Sequence, residues 1–299
     1  MAFEPSGRLV KALGEAQGEA AAADWLGRVP ALAQEAVAAR ELTVERVQAP
    51  GGRSSMVVLV RRPDGAQGAL KLAPSAAHPE RERAALAHWN GWGAVQLAED
   101  PAAEDGALLL ERLHCEVSLR SLPEAKALLE AAGVVRKLWV EPAADHPFET
   151  AEARTARQTA AMREAPAELA PLVDAALAAR DELVASGSEL LLLHGNFRQG
   201  KVLGGDRAPW LAVGPDPLVG ERAYDLARLV RDRIDDQIAT AAGSPATRRR
   251  VNRLADSLDV DRARLHGWTL FRAVESGVRA MAAGRKQDGE MLLEFASWL

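Results

Sequence analysis

Between Glu189 and Pro217 a largely helical half of the chain is broken by ELLLLHGNFRQGKVLGGDRAPWLAVGPDP, which reads as strand, loop, strand, turn, strand. The leucines Leu190–Leu193 stop at His194, Gly195 and Asn196, and Arg198 and Lys201 follow before the next apolar run. Short apolar runs bounded by glycine-rich polar turns carry no helical period and are read as strands. On either side the pattern is helical and amphipathic. LPEAKALLEAAGVVRKLWV and the stretch from Glu149 to Ser186 precede the island. Helices over Arg222–Ile238, Pro245–Ser257, Asp261–Ala283 and Gly289–Trp298 follow it. The fold must therefore wrap helices around a loop-bearing hairpin.

The first half has a different rhythm. EAAAADWLGRVPALAQEAVAARE spaces Trp25, Leu26, Val29, Leu32 and Val37 as one helical face, with Pro30 marking a kink or a new start. LTVERVQA then alternates, PGG breaks it, SSMVVLVRR is rich in β-branched residues, PDG turns, and GALKLA forms a third short strand. HPERERAALAHWNGWG is a helix of about three turns stopped at Gly91. AVQLAE and, after the loop PAAED, GALLLERL add two more strands. Together these predict an α+β fold: a five-stranded antiparallel sheet with a helix on one face, followed by a mainly helical lobe. Residues 1–40 read as an N-terminal helical segment, 41–113 as the small lobe, and 114–299 as the helical lobe carrying the loop.

Length and charge narrow the function. The 299 residues suffice for two lobes or one large domain, and 48% apolar with 26% charged residues fits a globular chain. With 37 basic and 42 acidic residues the net charge is −5, which disfavours nucleic acid as a partner and permits a cationic ligand. The single Cys115 allows no internal disulfide and no CxxC metal site. MAFEPSGRLV lacks the apolar core of a signal peptide, and no run reaches the ~18 apolar residues of a membrane span, so a cytoplasmic protein is expected.

Strand, strand, strand, helix, strand, strand, then helices around a loop-bearing hairpin is the layout of kinase-like folds. Phosphoryl transfer requires a phosphate cover, a lysine on the phosphates, metal-binding groups, and a base that orients the acceptor. Lys71 lies on the third strand, from which a kinase lysine reaches the phosphates. Taken alone it is an edge-strand lysine reaching solvent. Glu82 in the next helix is its candidate partner, with Glu80 a rival and first-turn helix-dipole compensation the plainer role for either. Gly51 and Gly52 are the candidate phosphate cover, or simply a turn. Glu111 and Leu113, closing the small lobe, are further candidate cofactor-binding positions.

GALKL, WNGWGAVQLAED and GALLLERL, with LLLHGNFRQGKVL and WLAVGPDPLVGERAYDLARLVRD, resemble the aminoglycoside phosphotransferase family, in its streptomycin 6-kinase and hydroxyurea phosphotransferase group. The resemblance runs from about Leu42 onward. It implies a bilobal protein-kinase-like fold, ATP and Mg²⁺ as cofactors if the site is competent, and a small aminoglycoside or aminocyclitol acceptor.

Carried over, the family's HGD motif falls on His194, Gly195 and Asn196. Asn196 thus stands where the family aspartate orients the acceptor hydroxyl, and an amide is no base at neutral pH. The family's metal-binding asparagine falls on Lys201, whose ammonium has no acceptor, and its metal-binding aspartate falls on Gly214. Asp216 is the nearby substitute ligand, set off by the stiff Pro215. Arg198 replaces a family histidine. Two carboxylates and a metal-binding amide are gone while two cations arrive, so the resemblance implies no conventional metal site.

The YDLA segment with Asp225, which tethers the catalytic loop in the family, is kept, as are His194 and Gly195. Asp232, Asp235, Asp236, Glu275 and Glu290 are the candidate acidic face for a cationic ligand, or else solvated helix faces. The leading expectation is a catalytically degenerate relative (a pseudokinase) with a ligand-binding, regulatory or scaffolding role, its partner a small molecule, an anionic metabolite or a protein. An active unconventional phosphotransferase using Asp216 is the first alternative. A kinase fold repurposed for other natural-product chemistry through His194, Asn196, Arg198 or Lys201 is the second.

Overall fold

The structure is a computed structural model that describes residues 3–100, 102, 106–187, 189–238 and 243–299. Apart from Ala102, the loop expected at PAAED lies outside the described residues. The chain divides into two compact units: residues up to Cys115 with Gly204–Leu211, and Glu116–Leu203 with Ala212–Leu299.

The first unit opens with helices α1 (Gly7–Gln17) and α2 (Glu19–Ala39). Ser6 caps α1 by accepting a hydrogen bond from the Leu9 amide. Pro30, expected to kink or restart the helix, sits inside a continuous α2. Strands β1 (Thr43–Val47), β2 (Met56–Arg61) and β3 (Gln67–Leu72), helix α3 (Pro79–Trp89) and strand β4 (Leu108–Glu111) follow. The strands pair antiparallel in the order β1-β2-β3-β4. The strand expected at AVQLAE is reduced to one bridge, Leu97 opposite Leu110. It is held by Ala98 N–H to Leu109 O and Glu111 N–H to Gln96 O.

Residues 1–40 do not stand apart from this sheet. Leu9, Leu13, Val29, Ala33 and Ala36 share one core with Val58, Val60, Leu70, Leu72 and Leu109, and Trp25, Leu26, Leu32 and Val37 pack at its margin. Side chains alternate across a strand, so Lys71, between Leu70 and Leu72, points to the opposite face. Coverage on both faces explains why β2 and β3 read as apolar runs rather than as alternation.

The second unit contains, in chain order, β5 (His114–Ser118, which straddles the boundary), α4 (Glu124–Leu138), α5 (Ala151–Arg163), α6 (Ala170–Ala185), β6 (Leu191–Leu193), β7 (Val202–Gly204), β8 (Leu211–Ala212) and β9 (Leu218–Gly220). Helices α7 (Arg222–Val230), α8 (Ile234–Ile238), α9 (Gly243–Leu258), α10 (Arg262–Ala282) and α11 (Lys286–Ser297) complete it. β6 and β9 pair antiparallel, Leu192 opposite Val219, so the loop after β6 and the segment before β9 emerge at the same end. The central helix is α10, with Trp268, Phe271 and Val274 buried. Its Gly267 and Gly277 admit Leu183 and Leu293: a β-carbon at either position would lie within 2.9 Å of those side chains.

One amphipathic stretch and one expected helix are each divided. Pro166 separates α5 from α6, as a proline that removes a ladder hydrogen bond does. Arg233, at φ 56°, separates α7 from α8. Its guanidinium compensates by donating to the carbonyls of Leu119, Arg120 and Leu122. Among the described residues no helix is long and apolar enough to cross a membrane.

Candidate functional site

In the first unit β3 is a central strand and Lys71 is buried, 9% exposed, so the reading of an exposed edge lysine is corrected. Its ammonium donates to Glu82 Oε2 on α3, and both side chains are shielded from water. Glu82 Oε1 accepts no hydrogen bond. The rival Glu80 is exposed and lies 3.0 Å from His78 Nδ1. Strand alternation, a first-turn helical position and burial together select Glu82 as the partner.

The other candidates of this unit are engaged in structure. Gly51 has φ 72°, and a β-carbon there would lie 3.0 Å from Gln48 O and 3.3 Å from Ser6 Oγ. A β-carbon on Gly52 would lie 3.2 Å from Ser55 O. The turn and its neighbours thus account for both glycines. Glu111 accepts from Arg207 with both oxygens, at 2.7 and 3.1 Å, and from the Gln96 amide at 2.8 Å. Leu113 is buried against Gly205.

In the second unit Asp225 on α7 organises the loop. Its Oδ2 accepts the His194 amide at 3.0 Å and its Oδ1 the Gly195 amide at 2.9 Å. Burial pushes its carboxyl pKa up; Arg272 and the two amides work against that shift. Arg272, on α10, donates to Gly195 O and Tyr224 O, both at 2.8 Å, and lies over the Tyr224 ring. Gly195 has φ 72°, and a β-carbon there would run into the Asp216 carbonyl.

His194, a candidate catalytic residue, is fully buried. Its Nδ1 accepts the Asn196 amide at 3.2 Å, so Nε2 carries the proton and donates to Val213 O at 3.2 Å. Burial first, then the charges of Lys201, Arg228 and Arg198, lower its pKa to about 3, with the Val213 bond opposing. It is neutral, and both ring nitrogens bond to the backbone of the loop and of Val213.

Asn196 Oδ1 is buried without a hydrogen-bond donor. Lys201 donates to Gly214 O at 3.3 Å, and Val213 N–H donates to Lys201 O at 2.8 Å. Gly214 has φ 59°, and a β-carbon there would meet the Lys201 ammonium. Asp216 is bound by Arg154, Nη1 to Oδ2 and Nη2 to Oδ1 each at 3.0 Å, so the substitute ligand is already paired. Arg198 places Nη1 3.3 Å from where a Gly200 β-carbon would stand, alongside the loop.

The proposed acidic face is not one surface. Asp232 is buried and accepts the Gln199 amide, and Glu275 is buried against Arg279 and Ser276. Glu290 pairs with Lys286. Asp235 and Asp236 are exposed.

Tested against Mg²⁺, this donor set does not fit. An ammonium and a glycine stand at the two positions carried over as ligands, the neighbouring carboxylates are spent on amides or Arg154, and among the described residues no cluster of three or more His, Cys, Asp or Glu exists. The buried Lys71–Glu82 pair does fit a phosphate-contacting lysine and the acid that orients it.

A sheet with a buried lysine–glutamate pair, and helices around an aspartate-tethered HG loop, define a protein-kinase-like small-molecule kinase fold. The fold is shared with aminoglycoside phosphotransferase APH(4)-Ia, at a TM-score of 0.61 over 90% of this chain and 97% of that one, with 13% identity. The model of the aminoglycoside/hydroxyurea antibiotic resistance kinase family matches residues 40–284, and the chain belongs to that family. It is 32% identical to a streptomycin 6-kinase of Streptomyces glaucescens over 85% of this chain and 83% of that protein. It is likewise 32% identical to a hydroxyurea phosphotransferase of Kitasatospora aureofaciens, over 83% and 71%.

Sequence reasoning missed Arg154, Arg272 and Arg207. Each is an arginine within a helix or turn, and only the distant carbonyl or carboxylate it reaches in space marks it out.

Proposed function

We propose that this member of the kinase family binds a small molecule through the retained loop without metal-assisted phosphoryl transfer. The observation that carries the reading is Asn196 Oδ1, a buried acceptor with no donor, on a loop whose neighbouring carboxylates Asp216, Asp225 and Asp232 already accept hydrogen bonds. An amide in that place takes a hydrogen bond from a ligand hydroxyl or amine and cannot remove its proton. Loss of a general base costs about 10²- to 10⁴-fold in rate.

Calorimetric titration with ATP and ADP, each with Mg²⁺ and with EDTA, tests this. Binding indifferent to Mg²⁺ is expected. Tight binding that requires Mg²⁺ overturns it.

The second reading is an active phosphotransferase acting on an aminocyclitol such as streptomycin. It is supported by the buried Lys71–Glu82 pair and by 32% identity to a streptomycin 6-kinase over 85% of the chain. Taken over the whole chain the relatives favour this reading; the residues at the reacting positions favour the first. Mg²⁺-dependent ADP formation that rises with added streptomycin would establish the second.

A further inference from the structure

We propose that the Lys201 ammonium is a tethered cation that takes the place of a divalent metal, so that the site receives a phosphate-bearing ligand in its metal-free form. The inference rests on the first reading above and names its ligand class.

The geometry couples two positions. Lys201 Nζ is anchored on Gly214 O at 3.3 Å, and its backbone is fixed by the Val213 amide at 2.8 Å, so the charge is delivered to one place. That place is where any side chain on residue 214 would begin. In this position the lysine fills the space beside Gly214, and an aspartate at 214 would meet an ammonium instead of a metal ion. The contacting atom is the far end of a flexible side chain, so Gly214→Asp alone moves the lysine aside into an ion pair and creates no metal site. The left-handed φ of 59° is one that aspartate tolerates better than most residues.

The surroundings agree. Burial keeps His194 neutral, and Lys201, Arg228 and Arg198 add to that effect from close by, so three basic side chains surround the loop. A cationic loop without metal ligands attracts oxyanions directly, through charge-assisted hydrogen bonds.

The test compares wild type with Lys201→Asn, Gly214→Asp, the double variant and Lys201→Met. Mn²⁺ binding is read by electron paramagnetic resonance and pyrophosphate binding in EDTA by calorimetry. Wild type, Lys201→Asn and Gly214→Asp are expected to leave Mn²⁺ free, and the double variant to bind one equivalent. Wild type is expected to bind pyrophosphate in EDTA, and Lys201→Met, which keeps the aliphatic stem, to weaken it by about tenfold.

Stoichiometric Mn²⁺ on wild type overturns the inference. So does a folded double variant that stays Mn²⁺-free, wild type that ignores pyrophosphate, or Lys201→Met that binds it undiminished. If circular dichroism shows the double variant unfolded, the wild-type Mn²⁺ and Lys201→Met titrations still decide. Mg²⁺-indifferent nucleotide binding with no metal gained by the double variant would leave the broader reading standing and remove this one. Tight nucleotide binding that requires Mg²⁺ would remove both.

Discussion

Arg154 on α5 holds Asp216 through two parallel hydrogen bonds of 3.0 Å while its Nε donates to Glu149 at 2.8 Å. Burial opposes the charge of this guanidinium, but the attraction of Asp216 and Glu149 outweighs it, so Arg154 stays protonated. The two partners differ in exposure: Asp216 is 63% exposed and Glu149 only 13%. Asp216→Asn should therefore cost about 1 kcal/mol or less, because a solvated carboxylate is screened. Arg154→Met, which strips a shielded glutamate of a donor, should cost about 1–3 kcal/mol. Urea denaturation of the two variants checks the order, and equal costs would contradict it.

Lys71 and Glu82 form a buried pair, and removing one member strands the other. Lys71→Met should destabilise the protein by about 3–5 kcal/mol. Lys71→Met with Glu82→Leu should recover much of the loss, because two apolar groups leave no uncompensated charge. Thermal denaturation of the single and double variants supplies the measurement. A Lys71→Met cost below about 1 kcal/mol would mean that water reaches the pair.

His194 links stability to pH. Its folded pKa of about 3 lies below the ordinary value of 6.5, so the unfolded chain binds the proton more readily. The stability it contributes is complete above pH 6.5 and is lost as pH falls from there towards 3, at about 1 kcal/mol per pH unit. Urea denaturation between pH 7 and 5 should show this slope in the wild type. It should be absent from His194→Asn, whose side chain has no proton to gain over that range.

Gly195→Ala should prevent the loop from forming. Its β-carbon would overlap the Asp216 carbonyl, which is fixed by the Asp216 amide donating to His194 O at 2.9 Å, and its φ is positive as well. The expected outcome is little soluble protein, or a loss of about 3 kcal/mol or more. Amide hydrogen exchange at His194 and Gly195 should then accelerate, because both amides lose their hold on Asp225.

The order of strands and helices was legible because period and turn chemistry are local. So was the candidacy of Lys71 and Glu82, since a lysine on the third strand and an acid in the next helix follow from sequence order. Which of Glu80 and Glu82 pairs was not legible, because helix rotation over the sheet decides it. The helix break at Arg233 had no local signal: its positive φ is stabilised by carbonyls more than a hundred positions away. The break at Pro166, by contrast, has a local signal in the proline itself. The setting of His194 could not be read from its letter, since full burial and two backbone partners are products of the fold.

Gly204–Leu211 belongs with the first unit although the chain has by then built half of a second one. Within that excursion Arg207 donates to the carbonyls of Gly91 and Ala94 and to both oxygens of Glu111. On a ribosome, then, the sheet-bearing unit cannot reach its final bonding when residue 115 emerges. It must wait, with the Gly91 and Ala94 carbonyls and the Glu111 carboxylate lacking Arg207, until the chain has lengthened past residue 207.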